Sequence, residues 1–213
     1  MIFLPKETFF NLSEKKQERI IEAALDEFSN NSYHKSRITA IVDKAGIASG
    51  SFYQYFDNKK DLFKYIIEQA VNKKLEYINH DMMADKESYD FFQLLHEMYL
   101  SGIKFAKENP RLVSIGNIFL NNKELQREIW GENKNKSSNF FKQLLKERVA
   151  RGELDPTIDV DLISRLLTNL NYSLVDIIYK DNKIDPDKIE NEMDQIDKMI
   201  SFIKSGIENK SDS

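Results

Sequence analysis

The 213-residue chain is long enough for a buried core of ordinary size, and it contains 41% hydrophobic and 31% charged residues with 7 glycines and 4 prolines. This composition suits a helical protein better than a turn-rich β protein. The absence of cysteine excludes disulfides and thiolate metal sites. The formal net charge of −4 by itself argues against a nucleic-acid partner.

The charge is unevenly distributed along the chain. Between Tyr33 and Lys64, six basic residues outnumber three acidic ones, which gives this segment +3 and leaves −7 for the rest. A locally basic segment on an acidic body can bind phosphates. The opening residues lack a basic stretch followed by an apolar one, and no apolar run approaches the roughly 20 residues of a membrane span. We therefore expect a cytoplasmic protein that does not bind membranes.

Apolar residues recur at helical spacing along almost the whole chain, which predicts an all-α fold. The first helix is expected after Ser13, a good N-cap, and two short helices follow on either side of Gly46. A longer helix begins at Asn58, where Asp61 completes a variant of the capping box. Further helices are predicted at residues 87–108, 110–121, 123–151, 159–181 and 187–208.

The two short helices have the pattern of a helix-turn-helix. Ala45 is small enough for crossing helices, Gly46 tolerates a positive φ, and Ile47 is the apolar residue expected after the turn. The slim or amide-bearing residues that suit the edges of the major groove are Ser49, Gly50, Ser51 and Gln54. Phe52 and Phe56 lie on the opposite side of the second helix, where they anchor it to a core.

This stretch resembles the signature of the TetR (tetracycline-repressor-like) family of bacterial transcriptional regulators. The elements that match at family spacing are Ala45-Gly46-Ile47, Gly50-Ser51-Phe52-Tyr53, Tyr55-Phe56 and Lys59. The match covers about residues 14–74, with Ala48 where the family often has a capping serine; beyond it, only the helix layout agrees. The resemblance implies an N-terminal three-helix DNA-binding domain at residues 1–57 and a C-terminal helical effector-binding and dimerisation domain at residues 58–213.

The resemblance also implies roles for individual residues on double-stranded operator DNA. Ser51 and Gln54 would face bases or nearby phosphates, and Tyr53 and Tyr55 would donate hydrogen bonds to phosphates. Lys59 and the free N–H groups at the start of its helix would form a phosphate site. The contacts implied from the start of the preceding helix are Ser36, Arg37 and Thr39. Core packing is the alternative role for the tyrosines.

The last two predicted helices carry apolar residues with a period near 3.5, as in helices that pack side by side. The first of them has a second apolar row, and a helix that is apolar on two faces needs two partners. This pattern predicts a homodimer, as the resemblance also implies. The predicted dimerisation residues are Leu167, Leu170, Leu174, Ile196, Ile200 and Ile203. The alternative is a hairpin packed only on the core of its own subunit.

The aromatic-rich middle region is the predicted effector site. Its candidate lining is Phe92, His96, Tyr99, Phe119, Trp130, Phe141, Asn169 and Tyr172. Ordinary core packing is the alternative role for each residue, although His96 and Asn169 are polar groups within apolar stripes and need partners. Because clustered basic residues are lacking, we expect an apolar or amphipathic small molecule, acyl or aromatic.

The chain has no pattern typical of an enzyme. Its three histidines, His34, His80 and His96, do not have metal-ligand spacing, and no phosphate-binding glycine loop occurs. We therefore expect no metal, no cofactor and no catalytic residue. The predicted function is sequence-specific regulation of transcription, with repression relieved when an effector releases the protein from a palindromic operator. The alternative is a helix-turn-helix protein regulated by a protein partner.

Overall fold

The computed structural model describes residues 5–77, 88–130, 136–180, 183–184 and 189–208, and the side chains of residues 5–77, 88–129, 139–170 and 193–208. The described chain is helical apart from one short pair of strands. The helices are α1 Glu7–Phe10, α2 Glu14–Asn30, α3 Ile38–Ala45, α4 Ser49–Tyr55, α5 Lys59–Tyr77, α6 Phe91–Glu108, α7 Pro110–Leu120, α8 Lys123–Trp130, α9 Lys136–Ala150, α10 Val160–Ile178 and α11 Ile189–Ile207. Strands β1 Tyr179–Lys180 and β2 Lys183–Ile184 pair antiparallel.

The all-α prediction is confirmed, with three local differences. Helix α1 was not expected, because four residues are too few to show a helical period. The helix predicted at 123–151 is two helices, and the nine residues between Trp130 and Phe140 include no apolar side chain that could be buried. The helix predicted at 159–181 ends at Ile178 and continues into β1.

The helix starts follow local chemistry in most places. Pro110 opens α7, where its fixed φ favours the first helical turn. Asp159 caps α10, since its carboxylate accepts a hydrogen bond from the Leu162 N–H at 3.0 Å. Ser13 precedes α2 as predicted, but its side chain makes no capping bond, and its carbonyl instead accepts the Lys16 N–H at 2.8 Å.

The chain divides into two compact units. Unit 1 comprises Met1–Lys73 and Asn109–Ile129, and unit 2 comprises Lys74–Glu108 and Trp130–Ser213. Helices α7 and α8 therefore pack with the N-terminal helices, although they lie far along the chain. The functional boundary predicted between residues 57 and 58 stays a prediction, because this division describes packing alone.

The core of unit 1 is aromatic. Phe9, Phe28, Phe52, Phe56 and Phe63 are fully buried. The ring of Phe56 lies 5.0 Å from that of Phe9 and 5.5 Å from that of Phe52, and the rings of Phe28 and Phe63 lie 5.0 Å apart. Aromatic rings bury a large apolar surface. Helices as short as α3 and α4 are marginally stable in isolation, so this packing is what stabilises them.

Unit 2 packs α6 against α11 and α9 against α10. A buried ion pair joins the end of α9 to the start of α6. The guanidinium of Arg148 donates to Glu153 at 2.8 Å and to the Tyr89 carbonyl at 2.7 Å, and Glu153 also accepts the Phe91 N–H at 2.9 Å. Losing Glu153 would leave the buried charge of Arg148 without its carboxylate, so the pair fixes this corner of the unit. Within the described residues, no helix is long and apolar enough to cross a membrane.

Candidate DNA interface

Helices α3 and α4 are joined by a tight turn at Gly46, which adopts the left-handed conformation with φ 64°. The Gly46 N–H donates to the Asp43 carbonyl at 3.2 Å, and the Ile47 N–H donates to the Val42 carbonyl at 3.0 Å. These bonds close the end of α3 in the way that favours glycine over any residue with a Cβ. Ala45 is buried next to the turn, as a helix crossing requires.

Helix α4 has one buried side and one exposed side. Phe52 is buried, as is Phe56 at the C-cap. The exposed residues are Ser49, Gly50, Tyr53 and Gln54, with Ser51 half-buried. A Cβ on Gly50 would meet no atom within 4 Å, so the packing of the protein does not require a glycine there. The missing side chain leaves space for a large molecule to approach the helix.

Tyr55 lies on the buried side, contrary to the phosphate contact predicted for it. It is 5% exposed, its ring lies 6.4 Å from that of Phe9, and the Lys16 ammonium lies 5.8 Å from its centre. Three residues after Phe52, it shares the same helix face. Tyr53 is 54% exposed, and its contact with a phosphate stays a prediction.

Two of the three residues predicted to contact DNA at the start of α3 are exposed. Arg37 and Thr39 are exposed, and the Arg37 N–H donates to a Glu27 carboxylate oxygen at 2.9 Å. Ser36 is buried, and its hydroxyl donates to the carbonyls of Ser32 and Tyr33 at 2.9 and 3.1 Å. Ser36 therefore holds the preceding turn together, and we withdraw it from the predicted contacts.

Lys59 points into the protein, not outward to a phosphate as predicted. Its ammonium donates to the Tyr33 carbonyl at 2.6 Å and to the Ser36 carbonyl at 2.9 Å, and it lies 4.6 Å from the centre of the Tyr33 ring. Burial lowers the pKa of the Lys59 ammonium. Lys59 thus joins the start of α5 to the turn before α3, and it positions the helix-turn-helix from behind.

The N-cap predicted at Asn58 is confirmed, but the reciprocal bond of a capping box is shifted by one residue, from the Asn58 N–H to the Asp57 N–H. The Asn58 side-chain oxygen accepts the Asp61 N–H at 3.0 Å, and the Asp61 carboxylate accepts the Asp57 N–H at 3.3 Å. Asp61 is buried, and burial raises the pKa of its carboxyl group.

Charged residues of α2 connect that helix to α3 and to α7. The Asp26 carboxylate pairs with the Lys44 ammonium and with the Arg111 guanidinium, the latter at 2.6 Å, and Arg111 also reaches Glu22 at 2.7 Å. The hydrogen bond from Lys44, followed by that from Arg111, lowers the pKa of Asp26. Sequence analysis missed this network, because nothing local to Asp26 indicates a partner 85 residues away.

The N-terminal residues Lys6–Phe10, hereafter the N-terminal clamp, contact the end of α4. The Lys6 N–H donates to the Tyr55 carbonyl at 2.9 Å, and its ammonium donates to the Tyr53 carbonyl at 2.8 Å. The Thr8 hydroxyl donates to the Gln54 carbonyl. Sequence analysis missed these residues too, although the adjacent apolar residues Phe9 and Phe10 signalled that this segment could pack against the core.

The residues predicted to line an effector site do not lie together. Phe92, Tyr99 and Phe141 are buried in unit 2, where burial raises the pKa of Tyr99 to about 12. Phe119 belongs to unit 1, with its ring 6.3 Å from that of Phe63, and Asn169 is exposed. His96 pairs through Nε2 with Asp197 at 3.0 Å. The side chains of Trp130 and Tyr172 lie outside the described residues.

An open groove of about 570 Å³ occurs in the described part of unit 2. Its lining is Glu76, Tyr77, Glu97, Leu100, Ser101, Lys104 and Glu108. Its charged lining residues are three glutamates and one lysine, and none of the eight residues predicted for the effector lines it. It is therefore not the apolar pocket that the aromatic residues predicted.

Several predicted dimerisation residues are internal to the protomer. Leu167, Ile196 and Ile200 are buried, Leu170 and Ile203 are half-buried, and the Leu174 side chain lies outside the described residues. The sequence predicted the apolar period of α10 and α11 correctly. It did not predict which face of each helix points into the protomer. Among the described side chains of these helices, the large apolar residues that remain exposed are Leu162, Leu166, Met193 and Phe202.

Comparison with known proteins adds independent evidence on the helix-turn-helix. Residues 20–66 match the family model described as "Bacterial regulatory proteins, tetR family". This range contains α3, α4, the turn at Gly46 and the start of α5. The chain carries the helix-turn-helix domain of the TetR family. It is accordingly a DNA-binding transcriptional regulator of the helix-turn-helix type and not an enzyme, as the sequence predicted.

Similarity extends over nearly the whole chain. A fatty acid metabolism regulator protein of Bacillus subtilis is 24% identical over 92% of this chain and 97% of its own length. The crystal structure of a TetR-family regulator from Chloroflexus aurantiacus superposes with a TM-score of 0.71 at 29% identity, covering 97% of this chain and 100% of that one. That of the B. subtilis regulator FadR in complex with stearoyl-CoA gives 0.70 at 21% identity, covering 89% and 98%.

Proposed function

We propose that this TetR-family protein is a repressor that binds a palindromic operator as a homodimer and is released by a small apolar or amphipathic effector. The observation that carries the proposal is the division of α4 into a buried aromatic side and an exposed side bearing Ser49, Gly50, Tyr53 and Gln54. A recognition helix needs this arrangement, because slim polar side chains must reach base edges while the helix is held from behind. Repression is the usual mode in the family.

The homodimer is supported by exposed apolar side chains on α10 and α11. Leu162 and Leu166 are 46% and 48% exposed and stand one turn apart on α10, and Phe202 on α11 is 79% exposed. Large apolar residues grouped on a helix surface mark a contact with another molecule. A second copy of the chain suits them, because a two-fold dimer presents two recognition helices to two half-sites.

For the effector we propose a long-chain acyl compound, with acyl-CoA as the first to test. The support is the aromatic and apolar interior of unit 2, together with the relatives named for fatty acid metabolism and the FadR complex with stearoyl-CoA. The effector would release the DNA by favouring a state in which the two recognition helices are wrongly spaced. Its effect is then set by its difference in affinity for the two states.

The test of DNA binding is selection of genomic fragments by the purified wild-type protein. We expect an enriched inverted repeat with half-sites about 34–36 Å apart or somewhat more. If no motif is enriched, the proposed function is wrong.

The test of the effector is titration of stearoyl-CoA with and without the selected duplex. Reciprocity requires DNA to weaken ligand binding by the same factor as the ligand weakens DNA binding, roughly 5- to 150-fold in typical cases. Free CoA is the matched control. Equal ligand affinities in the two titrations would exclude release by this ligand, and regulation by a protein partner would then be the better account.

A further inference from the structure

We infer that the N-terminal clamp positions the recognition helix, and that Lys6 and Thr8 are positioning residues for DNA binding. The inference rests on the proposed role of α4 as the recognition helix. It assigns to Lys6–Phe10 a function that the helix-turn-helix motif does not include, since the clamp precedes the matched residues 20–66.

The clamp supplies hydrogen bonds at the carbonyl end of α4. This helix has seven residues, and its last carbonyls lie beyond the reach of further helical N–H groups. Three consecutive carbonyls, those of Tyr53, Gln54 and Tyr55, accept bonds from Lys6 and Thr8. A cation at this end of a helix also interacts favourably with the helix dipole.

Phe9 anchors the clamp to the core of unit 1. It is fully buried, and its ring lies 5.0 Å from that of Phe56 and 5.7 Å from that of Tyr65. The bonds to α4 are therefore made from a segment that is itself fixed. They restrain the end of the helix that carries Tyr53 and Gln54, so less freedom is lost when those side chains meet DNA.

Lys6 has a second effect through charge. Its ammonium lies 2.6 Å from an Asp57 carboxylate oxygen, two residues beyond the end of α4. This pair offsets a negative charge next to the helix proposed to approach phosphates. Because the ammonium already holds Tyr53 and Asp57, Lys6 acts through the protein and not as a phosphate ligand.

The test measures affinity for the duplex selected by the wild-type protein over a series of salt concentrations. Thr8→Val and Lys6→Met remove the two side-chain bonds with little change in size and leave the backbone bond from Lys6 to Tyr55. Thr8→Ser and Lys6→Arg restore a donor. Lys15→Met removes an exposed charge from α2 and is the matched control. We expect Thr8→Val and Lys6→Met to bind roughly 3- to 10-fold more weakly. The conservative variants and Lys15→Met should bind as the wild type does, and urea unfolding checks that all remain folded.

The salt dependence separates positioning from direct contact. A lost phosphate contact lowers the slope of log K against log salt by about 0.9, whereas loss of positioning in the uncharged variant Thr8→Val leaves the slope unchanged. The inference fails if both variants bind like the wild type, or if only Lys6→Met weakens binding and its slope falls by that amount. If the wild-type protein selects no duplex, the proposed function fails first and this inference with it.

Discussion

The exposed surface of α4 in unit 1 carries no large aliphatic side chain, whereas the exposed surfaces of α10 and α11 in unit 2 carry several among their polar residues. On α4 the exposed side chains are small or polar, apart from Tyr53, and the large rings Phe52 and Phe56 are turned inward. On α10 and α11 the large side chains Leu166 and Phe202 are turned outward. Both units are helical and both bury apolar stripes, so secondary structure alone does not distinguish their roles.

This difference shows that the exposed side chains of a helical unit indicate which kind of molecule binds it. A surface with slim polar groups above a rigid aromatic layer suits the polar edges of bases, which need hydrogen bonds at defined positions. A surface with exposed leucine and phenylalanine side chains suits another protein surface, because contact between the two removes these side chains from water. The predictions below test this assignment by changing single residues on each surface and in the packing behind it.

The largest effect is expected at the aromatic layer behind α4. Phe56→Ala removes a fully buried ring in contact with Phe9 and Phe52, and we expect the free energy of unfolding of unit 1 to fall by about 3–5 kcal/mol. Tyr53→Ala, on the exposed side, is the control and should change it little. Urea unfolding measures both, and equal losses in the two variants would contradict the division of α4 into two sides.

The dimer surface should be the next most sensitive. Phe202→Glu places a charge at the most exposed large apolar residue described on α11. We expect the dissociation constant of the dimer to rise about 30-fold or more. Ser201→Glu, at the neighbouring exposed position, is the matched control. Ile200→Glu should instead unfold unit 2, because Ile200 is buried. Analytical ultracentrifugation decides, and a wild-type monomer at micromolar concentration would exclude the dimer.

A smaller effect is expected when one phosphate contact is removed. Tyr53→Phe deletes a hydroxyl that is proposed to donate to the DNA backbone, and we expect affinity to fall by about fivefold, near 1 kcal/mol. The loss should be equal on operator variants with different bases, since phosphates carry no sequence information. Fluorescence anisotropy on a set of variant duplexes measures this, and a loss that varies with sequence would make Tyr53 a base contact.

The smallest effect concerns the ion pairs that hold α2, α3 and α7 together. The pKa of Asp26 is lowered in the folded state, so its contribution to stability is present above the ordinary value of 3.8 and is lost as pH falls through the folded pKa. Asp26→Asn should cost about 0.5–1 kcal/mol at pH 7 and almost nothing well below that folded value. Urea unfolding over this pH range measures it, with Asp43→Asn as the exposed control on α3.

Local patterns were enough to predict the helix-turn-helix and its two sides. Gly46 and Ala45 need only their neighbours to form the turn, and the spacing of Phe52 and Phe56 sets the buried side of α4. The N-cap bond from the Asp61 N–H to the Asn58 side chain likewise lies within four residues. Each depends on chemistry between residues close in the sequence.

The mistaken residues depend on contacts between distant parts of the chain. Lys59 has the type and position of a phosphate ligand, but the carbonyl of Tyr33, 26 residues earlier, receives its ammonium. In the same way, the period of α11 identified an apolar helix without showing whether Ile200 or Phe202 faces inward. Helix rotation is set by the whole core, which no local pattern contains.

The most direct test of the account is repeated selection from a random duplex library with the wild-type protein and with Gln54→Ala. Gln54 is exposed on α4, and a glutamine amide can make two hydrogen bonds to adenine in the major groove. We predict that the wild type enriches an inverted repeat and that Gln54→Ala loses base preference at the same position in both half-sites, with the rest of the motif retained. An identical motif from both proteins would show that Gln54 does not read bases, and the absence of a repeat from the wild type would contradict the dimeric recognition that the account requires.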